Sequence, residues 1–211
     1  AVHGINAGVS ASLAASGPTT FFVTKWPIAI TSCNGSADSC PWRSNPPLTI
    51  TETERLGRLP GIQAVVAHLG TSASFKYKDR ELPGAGVDAY TPDWTEVDGG
   101  TIDPGRSFTQ AENANASNVV IINNKMKERL FGESDALDKR IYVNGKPFTV
   151  IGIYTPMANA FDGGNNSKAI VPLETARRRL NAGVRWMDLT VKPYDGVPQD
   201  EAIDAVIAEV R

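Results

Sequence analysis

Three groupings of side chains carry atoms that could do chemistry. Asp93, Glu96 and Asp98 place carboxylates beside Trp94, and a carboxylate pair next to an aromatic ring is the equipment of glycoside hydrolysis. The competing reading is a solvated strand edge and turn, because nothing in the neighbouring sequence sets one carboxyl apart as the acid. Asp162, Asn165 and Asn166 offer the hard oxygen ligands that calcium prefers, but the alternating ligands and closing Glu of an EF-hand loop are missing. A polar loop is the simpler reading. His68 sits among Val65, Val66, Ala67 and Leu69, where a partly buried structural histidine, its partner unknown, is expected over a base or a ligand.

Cys33 and Cys40 flank a polar loop rich in Gly, Ser, Asn and Asp. Such a loop can bring two sulfurs together with little strain, and closing it would stabilise the fold by about 2 kcal/mol. A disulfide is expected, as in an oxidising compartment, with two free thiols as the alternative. Zinc is not expected, since two sulfurs with distant His3 and His68 do not make a four-ligand cluster. The chain has neither a Gly-x-Ser-x-Gly nucleophile elbow nor a Gly-x-x-x-x-Gly-Lys-Ser/Thr phosphate loop, so acyl transfer and ATP hydrolysis lack their usual apparatus.

The elements that would position these groups belong to an ordinary folded chain. With 41% hydrophobic and 21% charged residues in 211, the composition disfavours disorder. No run approaches the roughly 18–20 apolar residues that cross a bilayer, so solubility is expected. The formal charge of -2 gives no field to attract a phosphate backbone, and a nucleic-acid role is set aside. The opening Ala1-Val2-His3, without an initiator Met or signal core, reads as that of an excised or processed piece.

Along the chain, Val2, Ile5, Val9 and Leu13 recur at helical spacing and predict a helix ended by Gly17-Pro18. Phe21 to Ile30 reads as a strand interrupted at Trp26-Pro27. Thr51-x-x-Glu54 is a capping-box pattern for a helix through Leu59, stopped by Pro60-Gly61. Ile62–Val66 and Ala73–Leu82 read as two further strands. At the far end Met187, Leu189 and Val191 alternate as in a strand, and Ile203, Val206, Ile207 and Val210 share a helical face. Of the tryptophans Trp26, Trp42, Trp94 and Trp186, most are expected in the core and one or two exposed as partner anchors.

The sharpest pattern is residues 130–153. Ile141 and Val143, then Phe148, Val150, Ile151 and Ile153, flank Asn144-Gly145, a pair that readily takes the positive φ of a tight hairpin turn. Asn118–Ile122 predicts a strand before it, and Asn123–Leu130 a helix that Gly132 stops.

The run Leu130-Phe131-Gly132, then Lys139 and Ile141-x-Val143-x-Gly145-x-x-Phe148-Thr149-Val150-Ile151-Gly152-Ile153, resembles the periplasmic core domain of MacB-like, FtsX-like ABC transporter permeases. Pro60-Gly61-Ile62, Gly105-Arg106-x-Phe108-Thr109 and Val171-Pro172-Leu173 are similar to further motifs of that family, in its order. Where the family usually has Pro-x-Gly-Lys, this chain has Ala136-Leu137-Asp138-Lys139, which places Asp where Gly would take positive φ.

The resemblance implies an α+β fold: a porter-like subdomain of two βα-type halves, residues 1–85 and 181–211, and an inserted strand-rich, Sabre-like subdomain, residues 86–180. Gly99-Gly100, Asp103-Pro104-Gly105 and residues 162–166 are the turns expected there. Arg106 is then a turn residue with a structural hydrogen-bonding role, and the Asn34, Asn115 and Asn165 sequons are inert in a bacterial setting. The function implied is non-catalytic: an extracytoplasmic domain, at the periplasmic face of the inner membrane, that transmits ATP-driven movement of transmembrane helices during export or efflux. No cofactor is expected in the chain itself, ATP being used by a separate nucleotide-binding domain. The implied partners are a second permease subunit, the ABC ATPase reached through the membrane helices, and a periplasmic adaptor or lipoprotein. Helices at both chain ends would pass movement from the membrane spans without slack. A freestanding secreted ligand-binding module and a small hydrolase using Asp93 or Glu96 are the alternatives.

Overall fold

In the computed structural model the residues described are 4–6, 19–25, 40, 45–156 and 166–210. The elements run β1 (Gly4–Asn6), β2 (Phe21–Thr24), α1 (Ile50–Leu56), β3 (Ile62–Tyr77) and β4 (Arg80–Tyr90). After a 3-10 turn at Pro92–Glu96 come β5 (Thr101–Gly105), α2 (Gln110–Ala114), β6 (Val119–Asn123), α3 (Asn124–Phe131), β7 (Arg140–Val143) and β8 (Lys146–Thr155). The chain closes with β9 (Lys168–Pro172), α4 (Leu173–Arg179), a 3-10 turn at Val184–Trp186, β10 (Asp188–Pro193) and α5 (Gln199–Glu209). It divides into two compact units, the first Ala1–His68, Glu96–Asp98 and Val184–Arg211, the second Leu69–Thr95 and Gly99–Gly183.

In the first unit β1, β2, β10 and the opening of β3 pair antiparallel in that order. Phe21, Val23, Ile62, Val66, Leu189 and Val191 are buried in these strands, with Leu56 of α1 and Val206 of α5. At residues 4–6 a strand stands where the helix of Val2, Ile5, Val9 and Leu13 was expected, Ile5 pairing with Val23 across a ladder, while Val2, Val9 and Leu13 lie outside the described residues. Gly4 and Gly8 each cost a helix about 1 kcal/mol relative to Ala, whereas the edge of β2 offers unpaired backbone groups to complete.

The capping box also shifts. Thr49, two residues before the expected Thr51, is the N-cap, accepting from the Glu52 amide while Glu52 accepts from Thr49. That phase buries Thr53 and Leu56, and the helix ends at Leu56 rather than Leu59.

The two strands expected at Ile62–Val66 and Ala73–Leu82 are one, because β3 runs through Gly70 to Tyr77 and Arg80–Leu82 already belongs to β4. A polar stretch such as Gly70-Thr71-Ser72 ends a strand only when its partners end too. Here β4 is hydrogen-bonded to β3, while β10 pairs with it up to His68 and β7 from Phe75.

The second unit is a mixed sheet. β9 lies parallel to β4 and antiparallel to β6, β6 lies parallel to β8, and β8 is antiparallel to both β5 and β7. Val120, Ile121 and Ile122 are all fully buried, the continuous apolar run of a strand covered on both faces. The β6-α3-β7-β8 unit forms as its sequence predicts, with Asn144 at φ 48° and Gly145 at φ 77° in the two-residue hairpin turn. Asp103-Pro104-Gly105 is not a turn but lies in β5, where the pairing with β8 slips between Ile102 and Gly105; proline is tolerated at such an irregularity on an edge strand.

Candidate functional site

The family-like motifs converge on structure rather than on a reacting centre, and Gly105–Thr109 shows how. Gly105, at φ 107°, faces Gly152 on β8, and a Cβ there would sit 2.3 Å from the Ile151 carbonyl oxygen. Only glycine fits. The next amide, Arg106, donates to that same carbonyl at 2.9 Å.

The Arg106 guanidinium then grips Glu112 with two bonds of 2.8 and 2.9 Å and donates to the Ser107 carbonyl at 3.0 Å. Glu112 is held a third way, accepting from the Thr109 amide at 2.8 Å while its own amide donates to Thr109 Oγ1. A capping box on α2 and a bidentate ion pair thus share one carboxylate. The Arg106 hydrogen bonds, aided by the Thr109 amide and opposed by partial burial, lower the Glu112 carboxyl to about 2. Arg106 is raised, chiefly by the same hydrogen bonds.

Ser107 and Phe108 face the core. Ser107 Oγ accepts from Trp94 Nε1 at 3.0 Å, and Phe108 stacks on Trp94, which also stacks on Tyr90 and meets Tyr154 edge-on. Trp94 is 1% exposed, so the aromatic ring expected to serve carboxylate chemistry beside Asp93 and Glu96 is a core residue.

The other motif residues are likewise placed by their geometry. Leu130, Phe131, Phe148 and Val150 are buried, Phe131 lying 4.2 Å from the Tyr77 ring. Gly132 ends α3 at φ 60°, and Gly61 turns at φ 88° with its carbonyl accepting from Tyr194 at 2.9 Å. Pro60 is exposed beside it, while buried Pro172 leads into α4. Asp138 takes φ 60°, the positive φ expected at this turn. Its amide donates to the Val150 carbonyl at 2.8 Å.

His68 finds the partner its sequence context left unnamed, Asp188 directly opposite on β10, at 2.8 Å through Nδ1. Trp186 is 53% exposed, with the Arg185 guanidinium over its ring, and is the candidate anchor among the described tryptophans. Cys40 is buried, whereas Cys33, Trp26, Trp42, Asp162 and Asn165 lie outside the described residues. Among the described residues no group of three or more His, Cys, Asp and Glu side chains could hold a metal ion, and no helix is long and apolar enough to cross a membrane. Glu112 and Asp188 are the important residues that sequence reasoning missed. For Glu112 the signal was present in Thr109-x-x-Glu112, the spacing already used to read α1.

The family model of the MacB-like periplasmic core domain matches residues 1–209. A probable export ATP-binding/permease protein of Pseudomonas fluorescens (strain Pf0-1) is 29% identical over 75% of this chain, and 24% of that protein's length is covered. A macrolide export ATP-binding/permease protein, MacB, of Bordetella avium (strain 197N) is 27% identical with the same coverage. The chain thus spans about a quarter of the length of these relatives. Among solved structures, the periplasmic region of MacB from Actinobacillus actinomycetemcomitans superposes with a TM-score of 0.72 at 21% identity, covering 93% of this chain and 84% of that one. The extracellular domain of the transporter YknZ from Gram-positive bacteria gives 0.63 at 21% identity, covering 76% and 80%. These likenesses carry the fold, mixed α/β, and the family is one of transporter permease domains rather than of catalysts. Matched along nearly its whole length, the chain belongs to the MacB-like periplasmic core domain family.

Proposed function

We propose that this chain is the extracytoplasmic domain of an ABC transporter permease and that it works mechanically, passing ATP-driven movement of membrane helices to periplasmic partners or cargo during export. The observation that carries the reading is the family match across residues 1–209, joined to relatives that are export ATP-binding/permease proteins. The chain sits at the periplasmic face of the inner membrane, with ATP consumed by a separate nucleotide-binding domain and no cofactor of its own. Its partners are a second permease subunit, that ATPase through the membrane helices, and an adaptor or lipoprotein.

In this reading residues 1–85 and 181–211 are the porter-like part and residues 86–180 the Sabre-like part. Both chain ends belong to the first unit, so force from the membrane enters there. The C-terminal input is a helix, α5, tied to α1 by the Arg55–Glu209 ion pair at 2.5 Å. On the N-terminal side β1 is a strand bonded to β2, so load reaching residues 4–6 is shared by ladder hydrogen bonds.

The test uses the intact parent protein. Replacing residues 1–211 by a flexible Gly/Ser linker, with spans and ATPase retained, is expected to abolish export while ATP hydrolysis continues. Export at the parental rate would overturn the proposal.

A further inference from the structure

We infer that Asn144 is a latent deamidation site, kept intact by its clasp to β3 and exposed whenever β7 detaches. Asn-Gly is the dipeptide in which a backbone amide can most readily attack the preceding side chain, because glycine has no Cβ to hinder the approach. Asn144-Gly145 is exposed, and a Cβ on Gly145 would meet nothing within 4 Å. Among the described residues no backbone acceptor outside the hairpin ladder engages the Gly145 amide, and Gly145 lies in the turn beyond the Val143–Lys146 pair that closes that ladder. The nucleophile is therefore free.

The electrophile is not. Asn144 Oδ1 accepts from the Ser74 amide at 2.8 Å and from Ser74 Oγ at 3.3 Å, while the Asn144 amide donates to the Ser74 carbonyl at 2.9 Å. Backbone and side chain of one residue are pinned to the same residue of β3, and the backbone is set at φ 48°. Ring closure needs Cγ to swing from Ser74 toward the Gly145 nitrogen, which breaks the side-chain bonds and turns the backbone out of the hairpin. Only the opened state reacts, so the rate follows the opening equilibrium.

The chemistry requires water alone. Hydroxide removes the Gly145 amide proton, and the nitrogen attacks Asn144 Cγ. The N–Cγ bond forms and the Cγ–Nδ2 bond breaks, with Nδ2 taking a proton from water and leaving as ammonia, which restores the hydroxide. Water then opens the succinimide at either carbonyl. Cleaving the new N–Cγ bond gives aspartate, and cleaving the original backbone bond gives isoaspartate. In isoaspartate the group that held Ser74 has become main chain and the turn is one carbon longer, so neither the clasp nor the two-residue hairpin can re-form. The modification thereby makes the loss of β7 from β3 permanent.

The experiment is peptide-resolved mass spectrometry of the 211-residue chain incubated at 37 °C and pH 8, native and in urea. Deamidation at Asn144 is expected to be at least roughly tenfold slower in the native protein, a modest opening penalty. Equal rates would overturn protection by the clasp. Ser74→Ala, which removes the longer bond, is expected to speed the native reaction by up to roughly fivefold, the worth of one neutral hydrogen bond, and to leave the rate in urea unchanged. A native rate unmoved by S74A, with folding intact by circular dichroism, would exclude Ser74 Oγ from the clasp. For the consequence, hydrogen exchange is compared between isoaspartate-bearing protein and Asn144→Asp, which carries the same charge on an ordinary backbone. Loss of β7 protection in the first alone is expected; protection in both would overturn the irreversible step.

Discussion

Glu112 shows how one side chain can close two local structures. Its carboxyl is lowered to about 2 from an ordinary 4.5, so the folded state prefers it ionised. The stabilisation is complete above the unfolded value of 4.5 and is lost as pH falls through the window from about 4.5 to 2, since protonation is linked to unfolding. Arg106 is 55% exposed, and solvent screening holds the expected contribution to about 1 kcal/mol. Glu112→Gln should therefore lower stability by about 1 kcal/mol at neutral pH and flatten the acid limb of a urea-stability profile. Asp138 is the opposite case, a residue holding φ 60° at a conformational cost. Asp138→Gly should raise the urea midpoint by an equivalent of about 0.5 kcal/mol, the αL penalty removed less the entropy glycine adds. At Gly105 both φ and space forbid a side chain, and Gly105→Ala should cost at least about 2 kcal/mol in the same assay.

Elements are decided by which of several locally acceptable options their neighbours complete. Thr49-x-x-Glu52 and Thr51-x-x-Glu54 are both sound capping boxes, and the chain uses the first because it points Leu56 into the core. Thermal melts should separate the two: Thr49→Ala is expected to cost about 1 kcal/mol as a lost N-cap, and Thr51→Ala no more than about 0.5 kcal/mol as an exposed substitution. The β6-α3-β7-β8 unit was readable because each boundary carries its own local cause. Asn123 caps α3, Gly132 ends it, and Asn144-Gly145 turns the hairpin. β3 was not readable as one strand, since nothing local shows which of its stretches the neighbours β4, β10 and β7 will pair.

At the scale of the whole molecule, the expectation still to be measured is the Cys33–Cys40 bridge. Mass analysis after alkylation without reductant should show both thiols blocked, and removing the bridge by Cys33→Ser should lower stability by about 2 kcal/mol. Sequence by itself determined what local chemistry compels: positive-φ turns at glycine and asparagine, the end of α3, the alternation of β10 and α5, and the ordered motifs that assign the family. Tertiary structure alone decided what depends on partners distant in the chain. It made residues 4–6 a strand because β2 had an open edge, drew Trp94 into a buried aromatic cluster, and set Asp188 against His68 across 120 residues of chain. The physical reason is range: backbone torsions and caps act over a few residues and are written where they act, whereas burial and ladder pairing are settled only when remote segments meet.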